Sequence, residues 1–146
     1  MKKLFIAALL SVSVLTSAFA KETSNVTTPV LQSFNSEFKN ATDVKWTPKG
    51  EYTRATFILD KTRMEAFFDK DGAILGTSAA VTVDQLPVPA KRAFAKKYQS
   101  YTVKEAIQFT NHAEESYYIN AENEKESVVI RIDAANQLSI YSRTNK

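Results

Sequence analysis

The chain contains no cysteine and a single histidine, His112, among its 146 residues. Without thiols no disulfide framework can hold it together, and the commonest nucleophile–base pairs and zinc sites are mostly excluded. Glycine and proline are scarce, at 3 and 4 residues, whereas nine Phe, six Tyr and one Trp supply apolar surface. These proportions disfavour collagen-like repeats and intrinsic disorder, and they are typical of a globular chain.

The first twenty residues have the pattern of a secretory signal peptide. A basic start is followed by an apolar run over 4–15 and by Ala18-Phe19-Ala20, which fits a small-x-small cleavage site. A membrane-spanning helix needs about 20 apolar residues, and here polar residues follow directly from Lys21. We predict a signal peptide over 1–20 and a flexible leader over 21–28. The mature chain is then periplasmic or secreted, with no membrane insertion after cleavage.

Removal of the signal peptide changes the charge balance of the chain. It takes away 2 of the 19 basic residues and none of the 16 acidic ones, so the formal net charge falls from +3 to +1. A nearly neutral domain has no strong field to attract nucleic acid or an anionic membrane. We therefore expect neither of them as a partner.

Two amphipathic segments predict helices. In the first, Thr28 is the expected N-cap and Pro29 the first helical residue, with apolar residues at helical spacing up to Phe38. The second follows Leu86-Pro87 and places on one side Ala90, Ala93, Phe94, Tyr98 and Tyr101. Each helix is followed by four alternating segments separated by turn residues, which predicts four strands.

The two halves of the chain match when the second is shifted by 64 residues. In this alignment Gly72 falls on Asn136, and both residue types readily enter the left-handed backbone region, so we expect the same turn twice. The predicted fold class is therefore α+β, a tandem repeat of one helix plus a four-stranded antiparallel meander. The repeats occupy 29–83 and 84–146 of a single domain.

Several short motifs of aromatic residues, turns and strand ends occur in both halves or at their junction. They are Phe38 with Val44-Lys45-Trp46, Tyr52 to Phe57, Glu65 to Gly72, Leu86-Pro87, and the second-half echo from Tyr117 to Asp133. On these motifs the chain resembles the PepSY-like, β-lactamase-inhibitor-like domain family of exported bacterial proteins. The resemblance implies a repeated helix-plus-sheet unit with a concave face for a partner. The namesake inhibitor carries disulfides and this chain has no cysteine, so β-lactamase inhibition is not carried over.

Three patterns could carry chemistry, and each has a simpler interpretation. Asp69 to Gly72 begins like a calcium loop, but 73–81 supplies no further acidic ligand, so we predict a hairpin turn. His112 with Glu114 and Glu115 lacks a fixed metal geometry, and we predict a solvated turn. No G-x-S-x-G frame supports nucleophilic catalysis. We predict no enzyme activity, no cofactor and no metal site.

Strand alternation places eight side chains on the sheet face opposite the helices: Tyr52, Arg54, Thr56, Phe67, Tyr118, Asn120, Arg131 and Tyr141. Six of them belong to residue types that are enriched at recognition surfaces, namely Tyr52, Arg54, Phe67, Tyr118, Arg131 and Tyr141. We predict that these six form a partner-binding face and are dispensable for folding. The alternative is an ordinary half-solvated sheet face whose aromatic residues pack across strands.

The function predicted from these observations is that of an exported non-enzymatic binding domain. It recognises a protein or peptide of the cell envelope, for example as an inhibitor of an envelope hydrolase or peptidase. The alternative is a periplasmic small-ligand or metal-ion carrier, which would show a pocket of several hundred cubic ångströms with converging polar groups.

Overall fold

Two helices and eight strands follow one another along the described part of the chain. The computed structural model describes residues 25–146, so the predicted signal peptide and the first four residues of the predicted leader lie outside it. The helices are α1 (Thr28–Glu37) and α2 (Val88–Lys97), and a 3-10 turn (Val83–Gln85) precedes α2. The strands are β1 (Thr42–Lys49), β2 (Tyr52–Leu59), β3 (Thr62–Phe68), β4 (Ile74–Val81), β5 (Thr102–Thr110), β6 (Glu115–Glu122), β7 (Glu126–Ile132) and β8 (Leu138–Asn145). Within residues 25–146, no helix is long and apolar enough to cross a membrane.

All eight strands form one antiparallel sheet, in which each strand pairs with its neighbours in the chain. The predicted fold class, a tandem repeat of helix plus four-stranded meander, is therefore wrong. β4 pairs with β5, from Thr77 opposite Thr110 to Val81 opposite Ala106. An unpaired strand edge exposes N–H and C=O groups, and this pairing removes two such edges. Turn residues indicate the hairpins within each half, but they do not indicate a pairing across the α2 connection.

Helix α1 covers the first half of one sheet face. The cluster beneath it consists of Val30, Phe34, Trp46, Ala55, Phe57, Ala66 and Phe68. The Phe34 ring lies 5.0 Å from the rings of both Trp46 and Phe57, and the Phe38 ring lies 4.8 Å from that of Phe57. Phe68 meets Phe34 at 6.4 Å. The predicted packing of these phenylalanines is confirmed.

Helix α2 covers the second half of the same face. Its cluster consists of Leu86, Ala90, Phe94, Tyr98, Ala106, Ile119, Ala121, Val128, Ile130 and Ile132. The predicted grouping of Phe94 and Tyr98 with Ile119 and Ile132 is confirmed. Of this helix only Ala90 and Phe94 are buried. Ala93 is exposed, so the prediction that it lies on the buried side is wrong.

Helix α1 begins one residue earlier than predicted. Thr27, not Thr28, is the N-cap, and Pro29 takes the second helical position. The Thr27 hydroxyl donates a hydrogen bond to the backbone carbonyl of Lys70 at 3.0 Å. It accepts none from the N–H groups of its own helix. Gly72 in the same β3–β4 turn lies so close to α1 that a Cβ atom there would be 2.6 Å from the Pro29 carbonyl oxygen. These contacts tie the start of α1 to the turn.

The turns after β3 and β7 share their hydrogen bonds, as the 64-residue shift predicts. In each turn an aspartate Oδ1 accepts two backbone N–H bonds at 2.9 Å, Asp69 from residues 71 and 73 and Asp133 from residues 135 and 137. Gly72 at φ 87° and Asn136 at φ 62° both adopt the left-handed conformation. The predicted hairpin turn over Asp69–Gly72 is confirmed.

Candidate binding face of the sheet

The sheet face directed away from α1 and α2 carries a third apolar cluster. Its buried members are Phe67, Ile107, Phe109, Tyr118 and Val129, and Tyr52, Leu75 and Tyr141 pack against them. We call this surface the far face. The Phe67 ring lies 5.9 Å from Tyr52 and 6.4 Å from Phe109, and the Tyr118 ring lies 5.4 Å from Tyr141. The cluster extends from β2 to β8.

The six predicted binding residues all share this face. Strand register places Arg54 opposite Phe67 and Tyr118 opposite Arg131, and ring contacts add Tyr52 and Tyr141. The prediction missed three further members of the cluster, namely Ile107, Phe109 and Val129. Strand alternation carries the signal for them, because they have the same parity as their neighbours across the sheet.

Two β-bulges add side chains to the far face. Leu75 is the extra residue of β4, since the residues beside it pair with consecutive residues of β3. Tyr141 is the extra residue of β8, opposite the step from Val129 to Ile130 in β7. Both side chains pack on the far-face cluster. A bulge shifts the alternation by one residue, so Leu75 has no reliable signal in the sequence.

Burial divides the predicted residues into two groups. Phe67 is 0% exposed and Tyr118 is 3% exposed. Tyr52, Arg54, Arg131 and Tyr141 are partly exposed. Large buried aromatic side chains contribute strongly to stability. We therefore expect Phe67 and Tyr118 to contribute to folding, whereas the sequence predicts that the whole set is dispensable.

Arg131 forms an ion pair that anchors the β5–β6 loop. Its Nη2 atom lies 2.8 Å from Glu114 Oε2, and both side chains are about two-thirds buried. The backbone N–H of Glu114 donates to Asn111 Oδ1 at 3.0 Å, which fixes the loop from its other end. In the same loop His112 Nε2 lies 3.1 Å from the Ile74 carbonyl oxygen. The prediction of a purely solvated turn is wrong for Glu114, because Arg131 holds its carboxylate.

A row of mostly polar residues crosses the middle of the far face. Strand register connects, from β2 to β6, Thr56, Glu65, Ser78, Phe109 and Ser116. Three of its polar members, Glu65, Ser78 and Ser116, are buried. Burial takes a polar atom away from water, so each buried atom needs a partner within the protein or its ligand. Ser116 Oγ and Glu65 Oε2 have no hydrogen-bond partner among residues 25–146.

Glu65 is the charged member of this row, and it is only 7% exposed. Its Oε1 atom accepts a hydrogen bond from Thr56 Oγ1 at 3.4 Å and lies 3.7 Å from Arg54 Nη1. Burial raises the pKa of the Glu65 carboxyl group above its ordinary value, and it outweighs the lowering by Arg54, Arg63 and the Thr56 bond. The fold therefore makes Glu65 a weaker acid than a solvated glutamate is.

A narrow void lies beside the Glu65 carboxyl group. It is too narrow for a water molecule and is lined by Arg63, Glu65, Ser78, Ala80 and Ile107. Arg63 forms an ion pair with Glu105, and its side chain is 46% exposed. Arg63 is therefore the most exposed of the residues that line the void.

Groups suited to a metal or a small ligand are sparse in residues 25–146. No set of three or more His, Asp or Glu side chains in this range is arranged to hold a metal ion. A shallow depression of about 560 Å³ lies between α2 and the β7–β8 turn, where Lys97, Asn136 and Leu138 are among the lining residues. It lies on the helix side of the sheet, away from the far face.

Solved structures from three Bacteroides species share this fold. A protein from Bacteroides eggerthii, which its name provisionally assigns to the periplasm, superposes with a TM-score of 0.74 at 14% identity, covering 82% of this chain and 88% of that one. A BLIP-like protein from Bacteroides fragilis superposes with a TM-score of 0.68 at 20% identity, covering 82% of this chain and 85% of that one. A DUF2874 family protein from Bacteroides uniformis superposes with a TM-score of 0.72 at 16% identity, covering 82% of this chain and 88% of that one.

No protein-family model and no curated protein matches the chain. At identities this low, the likeness to the solved structures shows the fold and leaves the activity open. The PepSY-like part of the predicted resemblance stays a prediction. The chain has the fold of the BLIP-like and DUF2874 proteins, and its predicted resemblance to the β-lactamase-inhibitor-like proteins is confirmed at the level of the fold.

Proposed function

We propose that the mature chain is an exported, non-enzymatic binding domain of the periplasm that recognises a protein or a peptide through the far face. The observation that carries this proposal is the far-face apolar cluster, with its five buried side chains. Each helix has its own core on the opposite face of the sheet. The far-face cluster is therefore not needed to hold α1 or α2 in place.

The chemistry of the far face supports recognition of a protein surface. Its centre is apolar and aromatic, and its border carries Arg54, Arg131 and the partly exposed rings of Tyr52 and Tyr141. Protein interfaces combine an apolar centre with a polar rim, and Tyr and Arg are prominent among the residues whose truncation weakens binding.

Two observations support the periplasm as the location. The first twenty residues have the pattern of a signal peptide, and the Bacteroides eggerthii neighbour is provisionally named as periplasmic. One form of this function is the inhibition of an envelope hydrolase or peptidase, for which the name of the BLIP-like neighbour is the support.

The local surroundings of the titratable groups support a non-enzymatic role. The ring of His112 lies against a backbone carbonyl, and the carboxylates of Asp69 and Asp133 accept the N–H groups of their own turns. Burial raises the pKa of the Glu65 carboxyl group, and the groups that contact its Oε1 atom are the Thr56 hydroxyl and the Arg54 guanidinium. A catalytic site would bring such groups together.

The alternative, a small-ligand or metal-ion carrier, is supported by the depression beside α2. Its volume of about 560 Å³ is in the range of ligand pockets, and Lys97, Asn136 and Gln137 give it polar groups. A carrier of this kind would bind through the helix side of the sheet. Loss of binding on substitution of Lys97, but not of Tyr52, would indicate the carrier.

A quantitative capture experiment tests the proposal. The mature chain is immobilised as wild type and as the Tyr52→Ala/Tyr141→Ala variant, and both are exposed to an envelope extract of the source organism. We expect a protein that is enriched on wild type to be retained at least tenfold less by the variant, because anchor residues of an interface dominate its affinity.

The matched control carries Arg92→Ala and Lys96→Ala on the exposed side of α2. It removes two large side chains as well, but none from the far face, and should retain the protein as wild type does. Equal retention by all three chains would contradict the far face as the binding surface. Selective loss on the α2 variant would move the binding surface to the helix side.

A further inference from the structure

Glu65 combines deep burial with an unpaired acceptor. It is 7% exposed, and its Oε2 atom has no hydrogen-bond partner in the part of the chain that the structure describes. Native proteins pair nearly all buried polar groups, and an unpaired carboxylate oxygen destabilises the free protein. A partner that occupies the far face can supply the missing donor when it binds.

The side chains around this acceptor are closely packed. The void between Glu65 and Arg63 is too narrow for a water molecule. Ser78, next to Glu65 in the row, has a small side chain, and Arg63, which also lines the void, is 46% exposed. A partner that displaces the Arg63 side chain would approach Oε2 from the surface of the far face.

The charges around the void indicate which donor fits it. Arg54 and Arg63 both lie close enough to lower the Glu65 pKa, and Lys45 follows Thr56 in the same row. These three cations outnumber the two carboxylates, Glu65 and Glu105. A further lysine or arginine from a partner would meet net positive charge, whereas an uncharged N–H or O–H group would not.

We propose that Glu65 is the polar anchor of the far face, and that its Oε2 atom accepts a hydrogen bond from an uncharged N–H or O–H side chain of a bound peptide segment. This inference rests on the proposed function and adds the chemistry of the contact. The partly exposed rings of Tyr52 and Tyr141 supply affinity. The Glu65 acceptor makes the face selective, because a partner without the donor leaves the buried oxygen unpaired.

Selection from a phage-displayed library of random peptides tests this anchor. The library is applied to the immobilised mature wild type, to Glu65→Ala and to Glu122→Gln, a matched carboxylate on the border of the sheet whose charge Lys104 and Lys146 already pair. Unfolding curves first establish that each variant is folded. We expect the peptides selected on wild type to share one conserved Ser, Thr, Asn, Gln, Tyr or Trp. These peptides should bind Glu65→Ala at least tenfold more weakly than wild type, and they should bind Glu122→Gln as tightly as wild type.

The outcomes separate this inference from the proposed function. Peptides that bind Glu65→Ala as tightly as wild type, or a conserved Lys or Arg in place of the donor, would overturn the anchor and leave the binding face standing. No enrichment on the wild type would contradict both. If Glu65→Ala fails to fold, Glu65→Gln takes its place. Because its carboxamide presents an N–H group, the peptides selected on Glu65→Gln should also include ones whose conserved side chain is a hydrogen-bond acceptor.

Discussion

Replacement of Glu65 by glutamine should stabilise the protein at neutral pH and leave its stability in acid unchanged. Burial raises the pKa of Glu65 above 4.5 in the folded protein. A carboxyl group with a raised folded pKa contributes stability that is fully present below the unfolded pKa and is lost as the pH rises through the folded value. Wild type therefore loses this contribution towards neutral pH, whereas the neutral glutamine variant does not.

The expected gain in the free energy of unfolding is about 1 kcal/mol near pH 7. A buried unpaired polar group costs about 1–3 kcal/mol, and the lower end applies because the variant also loses the attraction between Arg54 and the carboxylate, whose atoms lie 3.7 Å apart. Asp84 and Glu122, whose pKa values Lys91, Lys104 and Lys146 lower, affect both proteins equally. The difference between variant and wild type therefore isolates Glu65.

The assay is urea unfolding followed by the fluorescence of Trp46, the single tryptophan, whose ring packs 5.0 Å from Phe34 in the α1 core. Curves are recorded at about pH 4 and about pH 7 for wild type, Glu65→Gln and the exposed-loop control Glu124→Gln. A loss of about 1 kcal/mol or more at neutral pH would refute the reasoning. It would show that the pairing of Glu65 with Arg54 outweighs the burial of the carboxylate.

Four further substitutions are tested by the same unfolding assay. Phe68→Ala, under α1, should lose about 3–5 kcal/mol because the side chain is 0% exposed, and a loss below about 1 kcal/mol would contradict the assigned core. Phe67→Ala should lose a similar amount, since it is equally buried on the far face, and an unchanged stability would return it to the dispensable set. Gly72→Ala should lower the free energy of unfolding more than Gly50→Ala, although both glycines have a positive φ. The new Cβ at position 72 would lie 2.6 Å from the Pro29 carbonyl oxygen, whereas a Cβ at position 50 would meet no atom within 4 Å. Equal losses would show that the backbone conformation alone sets the cost.

The local elements of this fold were predictable because their signals are local. The spacing of Val30, Phe34 and Phe38 indicates α1, and the Asp-Gly pair indicates the turn after β3, since both depend on residues a few positions apart. The joining of β4 to β5 depends instead on hydrogen bonds between strands that α2 separates in sequence. No residue pattern within either strand distinguishes a paired edge from an exposed one.

The far face was predictable in part for the same reason. Alternation places Tyr52 and Arg54 correctly, because a regular strand keeps its parity. It does not predict the bulge at Leu75, which depends on how β4 pairs with β3. Nor does it predict the burial of Glu65, because a glutamate on a sheet face is ordinarily solvated and its neighbours outside β3 come from three other strands, β2, β4 and β5.

The central claim, that the far face contacts the partner, is tested most directly by site-specific photo-crosslinking. A photoreactive phenylalanine analogue replaces Tyr52 or Tyr141 on the far face, and Arg92 or Lys96 on the exposed side of α2, in otherwise wild-type mature chain. After irradiation in an envelope extract, the account predicts that one protein is linked covalently at both far-face positions and at neither α2 position. Linkage of that protein at Arg92 or Lys96, with none at Tyr52 and Tyr141, would contradict the account.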